Sequence, residues 1–151
     1  MLESKLTSLS LQSIKDIGLF ISSTKSGSDC YRNDVLAALA VAGGDDVFSV
    51  EILLELVIGQ GDKLVISSEL IDRARRFGYR DVGEIAEAIY NSLLLVVRQK
   101  GRLSYRAGAA LLDCSDKTYK NKYAGFINAQ VDDITIKMAR VVNYVYDYLN
   151  G

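Results

Sequence analysis

The sequence contains no histidine, no proline and only two cysteines. Histidine is the commonest general base and the commonest metal ligand, so its absence excludes most hydrolase triads and most zinc sites. Cys30 and Cys114 lie far apart and neither belongs to a C-x-x-C pair, so we expect free thiols in place of a disulfide or a metal site. The composition therefore predicts a protein that is not an enzyme and that needs neither a metal nor a cofactor.

Long apolar runs are also missing. No stretch approaches the roughly 20 apolar residues that span a bilayer. The first residues, MLESKLTSLSLQ, are polar and lack the apolar core of a secretory signal. We therefore expect a cytoplasmic protein without a membrane partner.

The absence of proline leaves helices uninterrupted, and apolar residues recur at helical spacing along nearly the whole chain. This pattern predicts an all-α, compact multi-helix protein. At the start of the helix predicted from Asp81, the residues Asp81 and Glu84 have the spacing of a capping box. The predicted helices run from about Ser10 to Ser22, from Asn33 or Asp34 to Gly43, from Asp46 to Gly59, from Ser67 or Ser68 to Gly78, from Asp81 to Gly101, and from about Asp133 to Leu149.

Charge is distributed unevenly. Between Arg98 and Gly125 there are seven Lys and Arg against two Asp, a net charge of +5, whereas the whole chain carries −1. A basic segment on an acidic body is typical of a nucleic-acid reader with a further partner. We predict a helical amino-terminal region over residues 1–79 with a surface for a protein partner, and a DNA-binding region over residues 80–151. The two regions can equally form one continuous domain.

The segment Gly101–Ile127 has the form of a helix-turn-helix. Asp113, Cys114 and Ser115 interrupt the helical pattern, with Asp113 at a turn position where glycine is usual, and the second helix begins at Ser115 or Asp116. We expect Ala109 at the position that must be small. The predicted inner face of the first helix comprises Leu103, Ala107, Ala110, Leu111 and Leu112, and the predicted buried stripe of the second comprises Tyr119, Tyr123 and Phe126.

The opposite face of the second helix is predicted to meet duplex DNA, because its side chains can donate to phosphates and to base edges in a major groove. These side chains are Lys117, Thr118, Lys120, Asn121 and Lys122. The alternative is a solvated basic face on an ordinary helical bundle. A second basic group, Arg73, Arg75 and Arg76, lies near a helix end, where it either interacts with the helix dipole or forms a second phosphate patch.

Two stretches carry a family resemblance. Asp34–Gly61, DVLAALAVAGGDDVFSVEILLELVIGQG, and Ser104–Val142 resemble the amino-terminal and DNA-reading parts of the phage late-gene antiterminators of the Q type, in their lambdoid members. The phrase CSDKTYK, followed by AGFI, is similar to the reading helix of a second antiterminator group. Where the lambda-like members insert a zinc-binding pair of C-x-x-C motifs, this chain has only Arg98–Arg102.

The resemblance implies a protein that binds DNA near a late promoter and engages bacterial RNA polymerase paused with its sigma factor attached. It further implies contacts near the RNA exit channel, with nascent RNA as an additional partner, so that transcription reads through terminators in the host cytoplasm. Carried over residue by residue, it assigns DNA contact to Arg102, Tyr105, Arg106, Ser115, Lys117, Thr118, Lys120, Asn121 and Lys122. The competing interpretations are a helix-turn-helix repressor, a small terminase-like DNA-packaging protein, and a purely structural bundle.

Overall fold

The computed structural model describes residues 37–41 and 46–150. At residues 146 and 148–150 it describes the backbone alone. Every regular element in those ranges is a helix, which confirms the all-α class. The predicted helix near Ser10, the caps at Asn33 and Asp34, and Cys30 lie outside the described residues. Residues 37–41 are helical. The further elements are α1 (Val47–Ile58), α2 (Lys63–Phe77), α3 (Val82–Val97), α4 (Tyr105–Leu111), α5 (Asp116–Thr118), the π-helical turn π1 (Tyr119–Ala124) and α6 (Gly125–Asn150).

The chain divides into two units. One comprises the described residues up to Val65 together with those from Thr135 onward, and the other comprises Ile66–Ile134. The boundary predicted between residues 79 and 80 falls inside the second unit. The reason is that the carboxyl half of α2 bonds to the start of α6, where Arg73 donates to Gln130 and Asp133.

In the first unit, α1 begins and ends where the sequence predicts. The Asp46 carboxylate accepts hydrogen bonds from the Ser49 backbone N–H at 3.1 Å and from its hydroxyl at 2.6 Å, which caps the helix. Gly59 ends it in the left-handed conformation, with φ of +68°. The following loop is fastened to α1 because Glu55 and Glu51 accept from the backbone N–H groups of Gly61 and Asp62.

The predicted start of α2 is wrong. The helix begins at Lys63, and Ser67 and Ser68 lie exposed inside it. Asp62 takes the capping role instead, since its carboxylate accepts from the backbone N–H groups of Leu64 and Val65. The predicted stop is confirmed, because Gly78 follows Phe77 with φ of +106°.

The helix α3 buries an apolar side that comprises Ile85, Ile89, Leu93, Val96 and Val97. Its capping box is absent, because the Asp81 carboxylate makes no cap bond and accepts from the Tyr123 hydroxyl instead. The helix also ends at Val97, before the predicted Gly101. Gln99 adopts φ of +58°, and the Lys100 N–H turns back to the Leu95 carbonyl at 2.8 Å, which closes the last turn.

The predicted terminal helix starting at Asp133 is part of a much longer one. Tyr119 and Gly125, at the junctions of α5, π1 and α6, keep right-handed helical backbone angles, so the chain is continuously helical from Asp116 to Asn150. Asp133 lies inside α6 and accepts from Arg73 at 2.8 Å. Its carboxylate therefore serves a tertiary ion pair and does not cap a helix.

Candidate nucleic-acid interface

Two capped helices and a tight turn form the segment from Ser104 to Thr118. The Ser104 hydroxyl accepts from the Ala107 N–H, and the Ser115 hydroxyl accepts from the Thr118 N–H, both at 3.1 Å. Between them Asp113 adopts φ of +51°, while the Cys114 N–H bonds back to the Ala109 carbonyl at 3.0 Å. The turn lies where the sequence predicts it, and the second helix begins at Asp116, one of the two predicted positions.

The inner face of α4 differs from the prediction. Gly108, Ala109 and Leu112 are buried, whereas Ala107 and Ala110 are exposed and Leu103 and Leu111 are half-buried. The cause is the ring of Tyr119, which lies so close to Gly108 that a Cβ there would overlap three ring carbons. Tyr119 therefore sets which side of this short helix faces inward.

The aromatic stripe of the second helix is buried as predicted. Tyr119 is 2% exposed, and Tyr123 and Phe126 are also buried. The ring of Tyr123 lies 5.5 Å from that of Tyr79, and the ring of Phe126 lies 4.6 Å from that of Phe77, measured between centroids. Burial of Tyr119 itself raises the pKa of its hydroxyl above the usual value. The stripe is core, and the opposite side of the helix faces solvent.

The turn π1 brings a second set of buried residues onto one side of the helix. Tyr119, Tyr123, Ile127 and Val131 are all buried although they recur every four residues. In an α-helix each step of four residues overshoots a full turn by about 40°, so three steps accumulate about 120°. A π-helical turn takes up one extra residue, which offsets about 100° of that drift. The wider turn therefore aligns the buried side of the second helix with that of α6.

All nine residues predicted to bind DNA are exposed. They are Arg102, Tyr105, Arg106, Ser115, Lys117, Thr118, Lys120, Asn121 and Lys122. The last five are exposed residues of α5 and π1, and we call them together the candidate reading surface. Within the part of the chain that the structure describes, Lys117, Lys120 and Arg106 make no ion pair. The Lys122 ammonium lies 5.2 Å from the centroid of the Tyr123 ring. Three lysines and an amide are thus available to a ligand.

Arg102 differs from the other candidates because the protein itself binds its guanidinium. It donates to the Asn128 carbonyl at 3.2 Å and to the Asp132 carboxylate. The side chain remains 41% exposed. Arg102 therefore ties the loop before α4 to α6 while leaving part of its charge at the surface.

The second basic group is held by carboxylates. Arg73 is 10% exposed and pairs with Glu69 at 3.0 Å and with Asp133 at 2.8 Å. Arg75 pairs with Asp72 at 3.5 Å, and Arg76 pairs with Glu69 at 3.4 Å. Arg73 thus has a structural role that joins α2 to α6.

Sequence reasoning missed Tyr79 and Gly108. Tyr79 donates to the Lys122 carbonyl at 2.5 Å, and Gly108 makes room for Tyr119. Tyr79 directly follows the turn residue Gly78, which was its one sequence signal, whereas Gly108 lies in the middle of α4 and had none. Cys114 is half-buried with a free thiol, and among the described residues no cluster of three or more His, Cys, Asp or Glu has the arrangement of a metal site. None of the described helices has the length and apolar character to cross a membrane.

Comparisons with protein-family models, with curated proteins and with solved structures gave no match. Functional interpretation therefore depends on the residues themselves. The most distinctive of these are the exposed lysines of the candidate reading surface, which follow a tight turn and lie opposite a buried aromatic stripe.

Proposed function

We propose that this protein binds duplex DNA through the candidate reading surface and acts as a phage transcription antitermination factor. The observation that carries the DNA-binding part is the set of three exposed lysines on a helix whose aromatic residues, Tyr119 and Tyr123, are buried in the core. Such a helix can enter a major groove without rearranging, because its packing residues and its contact residues do not overlap.

The side chains suit both parts of DNA recognition. Lys117, Lys120 and Lys122 supply point charges for phosphates, and these contacts give affinity that depends strongly on salt. Asn121 lies between two of the lysines and can pair with an adenine edge through both its donor and its acceptor. Arg106 and Tyr105, exposed on α4, suit contacts to the DNA backbone that fix the register.

The antitermination part is supported by the sequence resemblance and by charge. Outside Arg98–Gly125 the chain carries a net charge of −6, which favours a protein partner over a second nucleic-acid surface. Under this proposal the basic segment holds DNA near a late promoter, and the acidic remainder engages RNA polymerase with its sigma factor. A repressor or a DNA-packaging protein would use the same reading surface but would leave terminator read-through unchanged.

The DNA contact is tested by a triple substitution, Lys117→Ala, Lys120→Ala and Lys122→Ala. Each lost phosphate contact should lower the slope of log affinity against log salt by about 0.9, so the triple variant should lose about 2.7. The measurement is duplex binding by fluorescence anisotropy at several salt concentrations. A matched control, Lys63→Ala with Arg75→Ala and Arg140→Ala, removes three exposed charges elsewhere. An unchanged slope in a folded triple variant would contradict the assignment.

Antitermination is tested by single-round transcription with purified host polymerase on a phage late promoter followed by a strong terminator. Adding the protein before the promoter-proximal pause should raise read-through, and removing the promoter-proximal DNA should abolish that gain. DNA binding without read-through would favour the repressor or packaging interpretation.

A further inference from the structure

We infer that Tyr79 and Asp81 are positioning residues that hold π1 and so fix the direction in which the candidate reading surface faces. They do not belong to that surface themselves. The inference rests on the proposed DNA contact and adds to it a pair of residues that determine how well the protein discriminates between DNA sequences.

Both residues lie in the tight connection between α2 and α3. Gly78 adopts φ of +106°, and the Tyr79 N–H bonds back to the Ala74 carbonyl at 3.1 Å, which fixes the path of the chain there. From this connection the Tyr79 hydroxyl donates to the Lys122 backbone carbonyl at 2.5 Å. The Asp81 carboxylate accepts from the Tyr123 hydroxyl at 2.6 Å. Lys122 and Tyr123, two consecutive residues of π1, are thus both hydrogen-bonded to the connection between α2 and α3.

A π-helical turn needs such support. It is rare because its wider spiral is less favourable than an α-helix, and backbone groups within it gain from partners outside the helix. The Tyr79 hydroxyl is an outside partner for a carbonyl of π1. If the turn relaxed to an α-helix, Lys117 to Lys122 would rotate by about 100° relative to α6, since one residue would no longer be absorbed.

The ring of Tyr79 packs independently of its hydroxyl. Its centroid lies 5.5 Å from that of Tyr123 and 5.1 Å from that of Phe126. The variant Tyr79→Phe therefore removes the hydrogen bond and retains the aromatic contacts. Tyr144→Phe is a matched control, because Tyr144 is 53% exposed and no hydrogen bond of its hydroxyl is seen among the described residues.

The first measurement is amide hydrogen exchange of the full chain without DNA. We expect the amides from Lys120 to Ile127 to exchange about fivefold faster in Tyr79→Phe, which corresponds to the loss of one hydrogen bond, and to stay unchanged in Tyr144→Phe. Equal exchange in wild type and Tyr79→Phe would overturn the inference whether or not the protein binds DNA.

The second measurement uses a duplex selected from a random pool by the wild-type protein, and a scrambled duplex of the same length. In Tyr79→Phe the affinity ratio of selected to scrambled duplex should fall about fivefold, while the salt slope stays the same because no phosphate contact is lost. A ratio within twofold of the wild-type value would overturn the inference. A wild type without salt-dependent binding to either duplex would instead overturn the proposed function.

Asp81 offers a rescue test. Asp81→Ala removes the acceptor for Tyr123 and should lower the affinity ratio as Tyr79→Phe does, whereas Asp81→Asn retains an oxygen acceptor and should restore most of the ratio. Equal ratios in the two Asp81 variants would contradict the positioning role of this residue.

Discussion

The second unit carries two groups of basic side chains that look alike in the sequence and differ in the structure. The arginine cluster, Arg73, Arg75 and Arg76, is paired throughout with carboxylates of Glu69, Asp72 and Asp133. The lysine cluster, Lys117, Lys120 and Lys122, makes no ion pair with any described residue. Counting charges therefore does not tell which cations are available to a ligand.

Spacing alone does not explain the difference. Glu69 precedes Arg73 by four residues and pairs with it, as expected on an α-helix. Asp113 precedes Lys117, and Asp116 precedes Lys120, by the same four residues, yet neither pair forms. Asp113 lies outside the helix with φ of +51°, and the step from Asp116 to Lys120 enters π1, where four residues fall short of a full turn. The backbone path decides which charges are paired.

The largest change in stability is expected from a substitution that disturbs the packing of Tyr119, which lies between the residues of the lysine cluster in the sequence. Gly108→Ala would push a Cβ into the ring of Tyr119, so we expect a loss of about 3 kcal/mol in the free energy of unfolding, measured by urea denaturation. Gly125→Ala is the control, because a Cβ there meets nothing within 4 Å, and it should stabilise the helix by about 0.5 kcal/mol. A Gly108→Ala variant as stable as wild type would show that Tyr119 does not fix α4.

Arg73→Ala tests the structural role of the arginine cluster. The substitution removes the ion pairs of Arg73 with Glu69 and Asp133, of which the second joins α2 to α6, and so we expect about 2 kcal/mol of destabilisation. Arg75→Ala, at a site 67% exposed, should change stability by less than about 0.5 kcal/mol. Both variants should keep the wild-type salt slope for DNA. A reduced slope in Arg75→Ala would assign the arginine cluster to DNA as well.

The smallest expected effect concerns Tyr123. Its hydrogen bond to Asp81, helped by burial, raises its pKa to about 12 from the usual 10. Because the neutral form is favoured in the folded state, this stabilisation is complete below pH 10 and is lost as the pH rises toward 12. Tyr123→Phe should cost about 1 kcal/mol at pH 7 and should lose less stability than wild type between pH 10 and 12, measured by urea denaturation at each pH. Parallel losses in the two proteins would contradict a raised pKa.

Local signals in the sequence predicted the local features well. Ser115 and Asp46 cap helices through bonds that span three residues, and the turn at Asp113 follows from residues within it. The start of α2 was misplaced because Asp62, a nearer cap, was overlooked, and two further errors arose where a residue from another element competes. Asp81 bonds to Tyr123 and not to its own helix, and the phase of α4 follows Tyr119.

The exposure of the candidate contact residues was predictable because their neighbours are strongly apolar and aromatic. The turn π1 was not, since the letters YKNKYA fit an α-helix equally well. Its presence depends on the packing of Tyr119 and on a hydroxyl supplied from Tyr79, more than forty residues away along the chain. A pattern confined to one helix contains no information about such a partner.

The turn π1 also has a consequence for the evolution of this helix. A π-helical turn is equivalent to an α-helix that has gained one residue, and the wider turn takes up that residue so that the helix on either side keeps its phase. The direction in which Lys117, Lys120 and Lys122 face relative to α6 therefore depends on whether the turn stays π-helical, and so on the side chains that hold it. A relative that lacks one codon between Tyr119 and Ala124 would form an α-helix there and would present Lys117 and Thr118 in the same direction, whereas a substitution that releases the turn without shortening the chain would turn them by about 100°.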